Sequence, residues 1–378
     1  MDGGLPSEPP LGPLFENTRC LGFASILILA RMLPLGSVFR RIVLARSSKD
    51  ETGYGANGVV VEELLDRAKC SGWTRAATVG EGGEISDAVG EYGADLVHIP
   101  NQYDAHMVPA RGANVPYLVS VHDLYDHRPR AIDAGDVPVP LGDRFPPSAK
   151  ARLLTSCREG MARADLLLCS SERTMVEARE MFPETRCVLV RDSIDDDFWD
   201  PNRNHRPRSM LGDYGDEGKC LLVSVGEKDP RWRAQFVNEV IGLVPDEVRE
   251  DLLLFRIGSG RIDWEQVAAA FQHAEAMLYP GVSIGFHSPA LEACAAGCPV
   301  LASDLPMHDE LLPPRCLLPA TDSDYWVSAI VGIHAEWVRA GGVPRHVDDE
   351  LLSMAKLSFG RSAHGDALAK AYGIACES

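Results

Sequence analysis

The stretch from Gly281 to Asp304 reads GVSIGFHSPALEACAAGCPVLASD, and its pattern predicts a loop, a short helix, a sharp stop and a buried strand. Ser288 is a good N-cap, and a helix over 289–296 begins with proline, which suits the first helical position. Gly297 stands where a helix favours a left-handed terminator. The short apolar run 300–302 is typical of a strand buried on both faces. The stretch therefore predicts a unit of an α/β fold.

The beginning of this predicted helix suits an anionic ligand. Its first turn presents unpaired N–H groups and the positive end of the helix dipole. Gly285 allows the backbone to approach a ligand closely. Helix side chains lean toward the N-terminus, so the carboxylate of Glu292 is expected to reach the same space. Amides of Gly285–Ser288 for a diphosphate, with Glu292 for a ribose diol, would suit a sugar nucleotide. The alternative is a capped helix whose early glutamate merely complements the dipole.

The same stretch resembles the donor-site signature of the retaining family-four glycosyltransferases, which have the GT-B architecture. In that family a Glu and a Gly-Phe-Gly lead to a second Glu eight positions after the first, followed by Gly and Pro-Val. The matching residues here are Gly285, Phe286, Pro289, Glu292, Gly297, Pro299 and Val300. The resemblance implies that Phe286, His287 and Ser288 also line the donor site. Ile284 stands in place of the first Glu, and His287 in place of the third residue of Gly-Phe-Gly.

A second element, SVGEKDPRWRAQF at 224–236, is similar to the family's diphosphate-binding segment. There a strand that ends in glycine precedes basic residues that bind the donor diphosphate. The resemblance implies this role for Gly226 and for Lys228, Arg231 and Arg233, with Arg231 the first choice. Fixed cations stabilise a leaving group that gains negative charge in the transition state, and arginine binds phosphate in a bidentate manner. Solvated surface cations are the alternative interpretation.

His122 ends the apolar segment VSVHD at 119–123, which is similar to the strand-end His-Asp of the same family. The resemblance places His122 beside the transferred sugar. A structural histidine paired with Asp123 or Asp126 is an equally weighted alternative.

The order of apolar segments along the chain predicts two parallel-sheet domains. Strands expected at 41–46, 94–100, 115–123, 165–171 and 186–192 alternate with helices. A segment without periodicity follows, and the alternation restarts at 219 with strands at 219–226, 251–258 and 276–280. We therefore expect a doubly wound α/β fold with two domains facing across a cleft, and a C-terminal helix crossing back to the first domain. The expected boundaries are a poorly ordered tail at 1–20, an acceptor-side domain at 21–200, a linker at 201–218, a donor domain at 219–355 and a crossing helix at 356–378.

Composition limits the kind of partner. The chain has 378 residues and a formal net charge of −18, which argues against nonspecific binding to nucleic acid. Its ten cysteines are scattered without metal-ligand spacing, which predicts reduced thiols, a cytoplasmic protein and no bound metal. Arg31 and Pro34 interrupt the apolar run 21–39. A buried helix is expected there, while an interfacial segment, and with it peripheral membrane association, remains open.

Together these features predict a retaining, metal-independent glycosyltransferase that needs no cofactor. It would transfer a sugar from a nucleoside-diphosphate donor to a carbohydrate or lipid-linked acceptor. Ile284, His287 and the absence of a clear first strand favour an alternative, a catalytically degenerate GT-B subunit that supports a partner enzyme. A sugar-nucleotide epimerase on the same architecture is the third hypothesis.

Overall fold

Two parallel sheets form the framework of the protein in a computed structural model. The structure describes residues 39–46, 55–67, 69–80, 84–110, 114–133, 137–140, 146–226, 229–258, 263–282, 285, 289–343 and 345–377, and only the backbone of 55–60. The first sheet has six strands, in the order 73–79, 40–45, 96–99, 117–121, 166–169 and 186–189, and the second has five, in the order 317–318, 300–303, 276–279, 220–225 and 252–257. All pairings between these strands are parallel. The predicted fold class is confirmed.

The strands alternate with helices in both halves of the chain. The strands are β1 Arg40–Ala45, β2 Trp73–Val79, β3 Leu96–Ile99, β4 Tyr117–Val121, β5 Leu166–Cys169, β6 Arg186–Leu189, β7 Cys220–Val225, β8 Leu252–Ile257, β9 Ala276–Tyr279, β10 Val300–Ser303 and β11 Leu317–Leu318. The α-helices are α1 Gly55–Asp66, α2 Ile85–Tyr92, α3 Ser148–Arg163, α4 Glu172–Met181, α5 Asp196–Trp199, α6 Ala234–Leu243, α7 Asp246–Arg249, α8 Trp264–His273, α9 Pro289–Ala295, α10 Pro306–Asp309, α11 Ser323–Arg339, α12 Asp349–Phe359 and α13 Arg361–Cys376. Below, the first half means residues 40–192 and the second half residues 195–359.

Each sheet is covered on both faces, which explains its nearly continuous apolar strands. In β1, Ile42 and Leu44 pack toward α1 and α13, whereas Val43 packs into the core on the opposite face, beneath α3 and α4. In the second sheet, Leu222 packs toward α6 and α11, while Val223 packs toward α8, α9 and α12. The apolar runs of the sequence therefore correspond to strands with two buried faces.

Strand β2, with the sequence WTRAATV, was not predicted from the sequence. It lies at the edge of the first sheet, and only Trp73 of its seven residues is fully buried. A strand with a half-exposed face does not need the continuous apolar pattern of a central strand. The missing pattern reflects this edge position.

Helix α13 crosses from the second half back to the first, as predicted. Leu368, Ala371 and Tyr372 are buried in the first half's core. The Tyr372 hydroxyl lies 2.9 Å from Nδ1 of His98, a histidine of β3. The end of the chain is thereby part of the first half's hydrophobic core.

The stretch 281–304 folds largely as its sequence predicts. Helix α9 covers 289–295, Gly297 adopts the left-handed conformation with φ of 66°, and β10 covers 300–303. The expected N-cap, Ser288, lies outside the described residues, as do the tail at 1–20 and the apolar run at 21–38. The segment at 201–218 contains 3₁₀ turns within Arg208–Gly215, interrupted at Gly212, and its Leu211 is buried in the second half's core.

Candidate functional site

The carboxyl ends of β7 and β8 converge at Gly226. A Cβ atom at Gly226 would lie 2.2 Å from the carbonyl oxygen of Ile257, the last residue of β8. Only glycine permits this approach. The two loops that follow these strands therefore leave the sheet side by side. Lys228 belongs to the first of these loops and lies outside the described residues.

Arg231 follows in a 3₁₀ turn, Pro230–Trp232. Asp229 caps this turn by accepting a hydrogen bond from the Arg231 N–H at 2.9 Å. The same carboxylate accepts hydrogen bonds from Nε and Nη2 of Arg231 at 2.6–3.1 Å. The guanidinium carbon lies 4.2 Å from the centre of the Tyr125 ring, which belongs to the first half. Arg231 therefore reaches across the cleft between the two halves.

Arg233 has a different environment. Its backbone is left-handed with φ of 55°, and its Nη1 donates hydrogen bonds to the carbonyl oxygens of Ala320 at 2.6 Å and Pro280 at 3.3 Å. Its guanidinium carbon also lies 4.1 Å from the centre of the Phe236 ring. Burial lowers the pKa of Arg233. The side chain holds together the segments that follow β9 and β11.

Glu292 lies in the first turn of α9 and is partly buried. Within the part of the chain that the structure describes, its carboxyl group has no hydrogen bond or ion pair. Burial raises its pKa from 4.5 to about 8. A partly buried carboxyl group with a raised pKa is a candidate for a ligand-binding or catalytic position. Phe286, His287 and Ser288, which precede α9, lie outside the described residues.

Gly285 touches the first half. A Cβ atom at this position would lie 2.3 Å from the carbonyl oxygen of His122 and 2.9 Å from Cβ of Asp123. The His122 carbonyl also accepts a hydrogen bond from the Ser170 hydroxyl at 2.9 Å. The turn before α9 and the end of β4 are thus in direct contact, and any side chain at 285 would push them apart.

The ring of His122 is directed into the protein. Its Nδ1 lies 2.8 Å from the Asp192 carboxylate, and its Nε2 lies 2.9 Å from the carbonyl oxygen of Pro100. A carboxylate and a carbonyl oxygen both accept hydrogen bonds, so this geometry favours the ring with both nitrogens protonated. Burial alone would lower the pKa of His122, but Asp192 and the Pro100 carbonyl outweigh it and the pKa is raised. Neither ring nitrogen points into the cleft.

Three residues that contribute to this region were missed in the sequence. Asp192 lies just beyond β6, two strands away from β4, and the rule that carboxyl ends of parallel strands share one edge would have suggested it. Tyr125 is only three positions beyond His122. Glu310, just after α10, accepts a hydrogen bond at 2.9 Å from the N–H of Glu172, the first residue of α4 in the first half. Nothing in the local sequence signals this long-range contact.

Several solved structures share this arrangement of two facing sheets, and a glycosyltransferase is among them. Sucrose-phosphate synthase of Thermosynechococcus elongatus has a TM-score of 0.61 at 15% identity and covers 86% of this chain and 96% of its own. The chain has the GT-B fold. HepE of Anabaena shares this fold, with a TM-score of 0.57 at 11% identity over 87% of this chain and 98% of HepE. A glycosyltransferase of Rickettsia africae also shares it, with a TM-score of 0.58 at 10% identity over 90% of this chain and 99% of its own.

Sequence comparison adds a shorter match. The O-antigen chain mannosyltransferase RfbU of Salmonella typhimurium is 33% identical over 73 residues, which are 19% of this chain and about a fifth (21%) of RfbU. No family model matches the chain.

Two kinds of feature are absent from the described residues. None of the helices there has the length and apolar character needed to cross a membrane. Nor do the described residues contain a group of three or more His, Cys, Asp or Glu side chains placed to hold a metal ion.

Proposed function

We propose that the protein is a glycosyltransferase that moves a sugar from a nucleoside-diphosphate donor to a carbohydrate or lipid-linked acceptor. The observation that carries the proposal is the meeting of donor-side and acceptor-side elements within a GT-B fold. Arg231 follows β7, Gly285 follows the neighbouring strand β9, and both contact the first-half segment 122–125. A cation thereby borders the cleft at the carboxyl ends of the strands, where open α/β sheets bind ligands.

In this proposal Arg231 binds the donor diphosphate. The bond between sugar and diphosphate breaks heterolytically, and the leaving phosphate gains negative charge as it does so. A cation already held in place by Asp229 and Tyr125 needs no reorganisation when that charge develops, and therefore stabilises the transition state more than the ground state. Lys228 follows Gly226 by two positions and is proposed to assist, whereas Arg233 is proposed to act through its carbonyl contacts.

Glu292 is proposed to bind the ribose hydroxyls of the donor. Its carboxyl group lacks a partner among the described residues, and a diol would supply two hydrogen-bond donors. Amides of 285–288 are proposed to meet the phosphate. The backbone of His122 contacts Gly285 at the end of β4. Because its ring nitrogens are bound to Asp192 and Pro100, we propose that the backbone around His122, rather than the ring nitrogens, contacts the sugar. HepE, of the same fold, has been solved with UDP, with UDP and glucose, and with UDP-glucose.

Retention of configuration and independence of metal are the finer parts of the proposal, and they rest on the resemblance of 285–300 to family-four enzymes. Ile284 in place of the first family Glu favours one rival, a GT-B subunit that binds its partner but transfers no sugar.

The first test is a thermal-shift series with UDP, GDP, ADP and dTDP, with and without EDTA, on the wild type and Glu292→Ala. A nucleotide at 100 times its Kd stabilises the native state by about 2.7 kcal/mol. We expect one diphosphate to stabilise the wild type in EDTA and to lose most of this effect in the variant. Release of that diphosphate from its sugar conjugate then separates the enzyme from the inactive subunit, and NMR of the product's anomeric proton tests retention. If none of the four stabilises the wild type, the proposal fails.

A further inference from the structure

We propose that Tyr125, a residue of the acceptor side, positions the donor-binding cation Arg231, so that the diphosphate site is complete only when the two halves are together. The inference rests on the proposed function, because it assigns Arg231 to the diphosphate. Tyr125 acts through Arg231 and is therefore a positioning residue.

The contact between the two residues is close. The guanidinium carbon lies 4.2 Å from the centre of the Tyr125 ring, well within the distance at which a cation is attracted to an aromatic face. The Arg231 side chain is 12% exposed, so water screens this attraction less than at an open surface. Arginine favours such stacking because its charge is spread over a plane.

Tyr125 is itself held in place from three sides. Its N–H donates to the Asp123 carboxylate at 3.1 Å, and its hydroxyl donates to the carbonyl oxygen of Pro140. Its ring packs on an apolar cluster that joins the two halves, with members Val137, Val139, Val282, Leu305, Met307 and Ala320. The ring is therefore a fixed platform rather than a mobile surface side chain.

Arg231 is also held from its own side of the cleft. It lies in a 3₁₀ turn of three residues, and its carbonyl oxygen accepts a hydrogen bond from the N–H of Val282 at 2.9 Å. Asp229 binds the Nε and Nη2 edge of the guanidinium, and the Tyr125 ring lies against its face. The carboxylate comes from the donor side and the ring from the acceptor side, so the two supports meet only across the cleft.

The contact between Arg231 and Tyr125 can also be ordinary packing. In that case, removal of the ring would lower the stability of the protein without a selective loss of affinity for the diphosphate. The test therefore compares ligands that differ only in phosphate number. For the diphosphate that stabilises the wild type most strongly, we would measure its Kd, that of the matching monophosphate and that of the nucleoside by calorimetry, for wild type, Tyr125→Leu, Tyr125→Phe, Arg231→Ala and Tyr125→Leu/Arg231→Ala.

We expect Tyr125→Leu to weaken diphosphate binding about tenfold and to leave nucleoside binding unchanged. Tyr125→Phe keeps the ring and should retain most of the diphosphate affinity. The double variant should bind the diphosphate no more weakly than Arg231→Ala, since the ring acts through the arginine. If Tyr125→Leu does not fold, Tyr125→Met takes its place.

Three results would overturn the inference: unchanged diphosphate affinity in Tyr125→Leu, equal losses for diphosphate and nucleoside, or additive losses in the double variant. Any of these, alongside a diphosphate-selective loss in Arg231→Ala, leaves the proposed function intact. A wild type that binds none of the diphosphates overturns both.

Discussion

Replacing Glu292 by glutamine should stabilise the protein in a pH-dependent manner. Burial raises the pKa of Glu292 from 4.5 to about 8 in the native state. At a pH between these two values, the Glu292 carboxyl group keeps its proton in the native state and releases it in the unfolded chain. The free energy of unfolding of the wild type therefore falls as the pH rises from 4.5 and levels off above 8. Glutamine resembles the protonated carboxyl group but does not ionise, so the variant does not lose this stability as the pH rises.

The size of the effect follows from the shift. Each pKa unit corresponds to about 1.4 kcal/mol, so the full shift would amount to about 5 kcal/mol at pH 8. Because the side chain is only partly buried, solvent screens the charge and we expect about 2 kcal/mol. This corresponds to a rise in Tm of several degrees.

The assay is the Tm of the wild type and Glu292→Gln from pH 4.5 to 9, without ligand. The two proteins should unfold at the same temperature at pH 4.5, and the variant should be increasingly more stable toward pH 8. Glu336→Gln, on the exposed surface of α11, is the matched control and should follow the wild type throughout. A difference between Glu292→Gln and the wild type that does not change with pH would refute the reasoning.

Changes at four further positions test the contacts between and within the halves. Gly285→Ala should lower Tm by several degrees and weaken donor binding, because its Cβ would meet the His122 carbonyl at 2.3 Å. Gly373→Ala in α13 is the control, because open space surrounds that position. It should raise the free energy of unfolding in urea by about 0.5–1 kcal/mol. Asp192→Asn should lower the pKa of His122 in a histidine NMR titration. Its loss of stability should be greatest below pH 6.5 and shrink as the pH rises through the raised wild-type pKa, and a constant loss would contradict this. Glu310→Ala removes the acceptor of the hydrogen bond from the Glu172 N–H and should cost about 0.5–1.5 kcal/mol in urea unfolding, whereas Glu310→Gln keeps an acceptor and should cost less; equal losses would contradict this.

The candidate site was only partly accessible from the sequence. The two segments proposed for the donor site stand out in the sequence because each combines a strand end, a glycine and a charged residue within a few positions. Arg231 and Arg233 are only two residues apart and carry the same charge, yet one reaches Tyr125 and the other binds two carbonyl oxygens. The left-handed backbone at Arg233 turns its side chain away from the direction that Arg231 takes. No local pattern predicts a positive φ for an arginine.

His122 shows the same limit for a single side chain. The sequence places it at the end of a strand, and the alternatives there were a sugar contact or a pair with Asp123 or Asp126. The structure pairs its ring with Asp192, seventy positions further along the chain. Because β4 and β6 are separated by β5 in the sheet, the loops beyond their ends must converge for this pair to form, and that convergence depends on the tertiary structure.

By itself the sequence determined the alternation of buried strands and helices, the two sheets, the stop at Gly297 and the returning C-terminal helix. These depend on periodicity, on proline and glycine and on apolar runs, which act over a few residues. Only the tertiary structure decided that β2 is an edge strand, that Tyr125 lies under Arg231 and that Gly285 contacts the carbonyl of His122. The last two contacts join residues more than a hundred positions apart, and they depend on how the two sheets face each other.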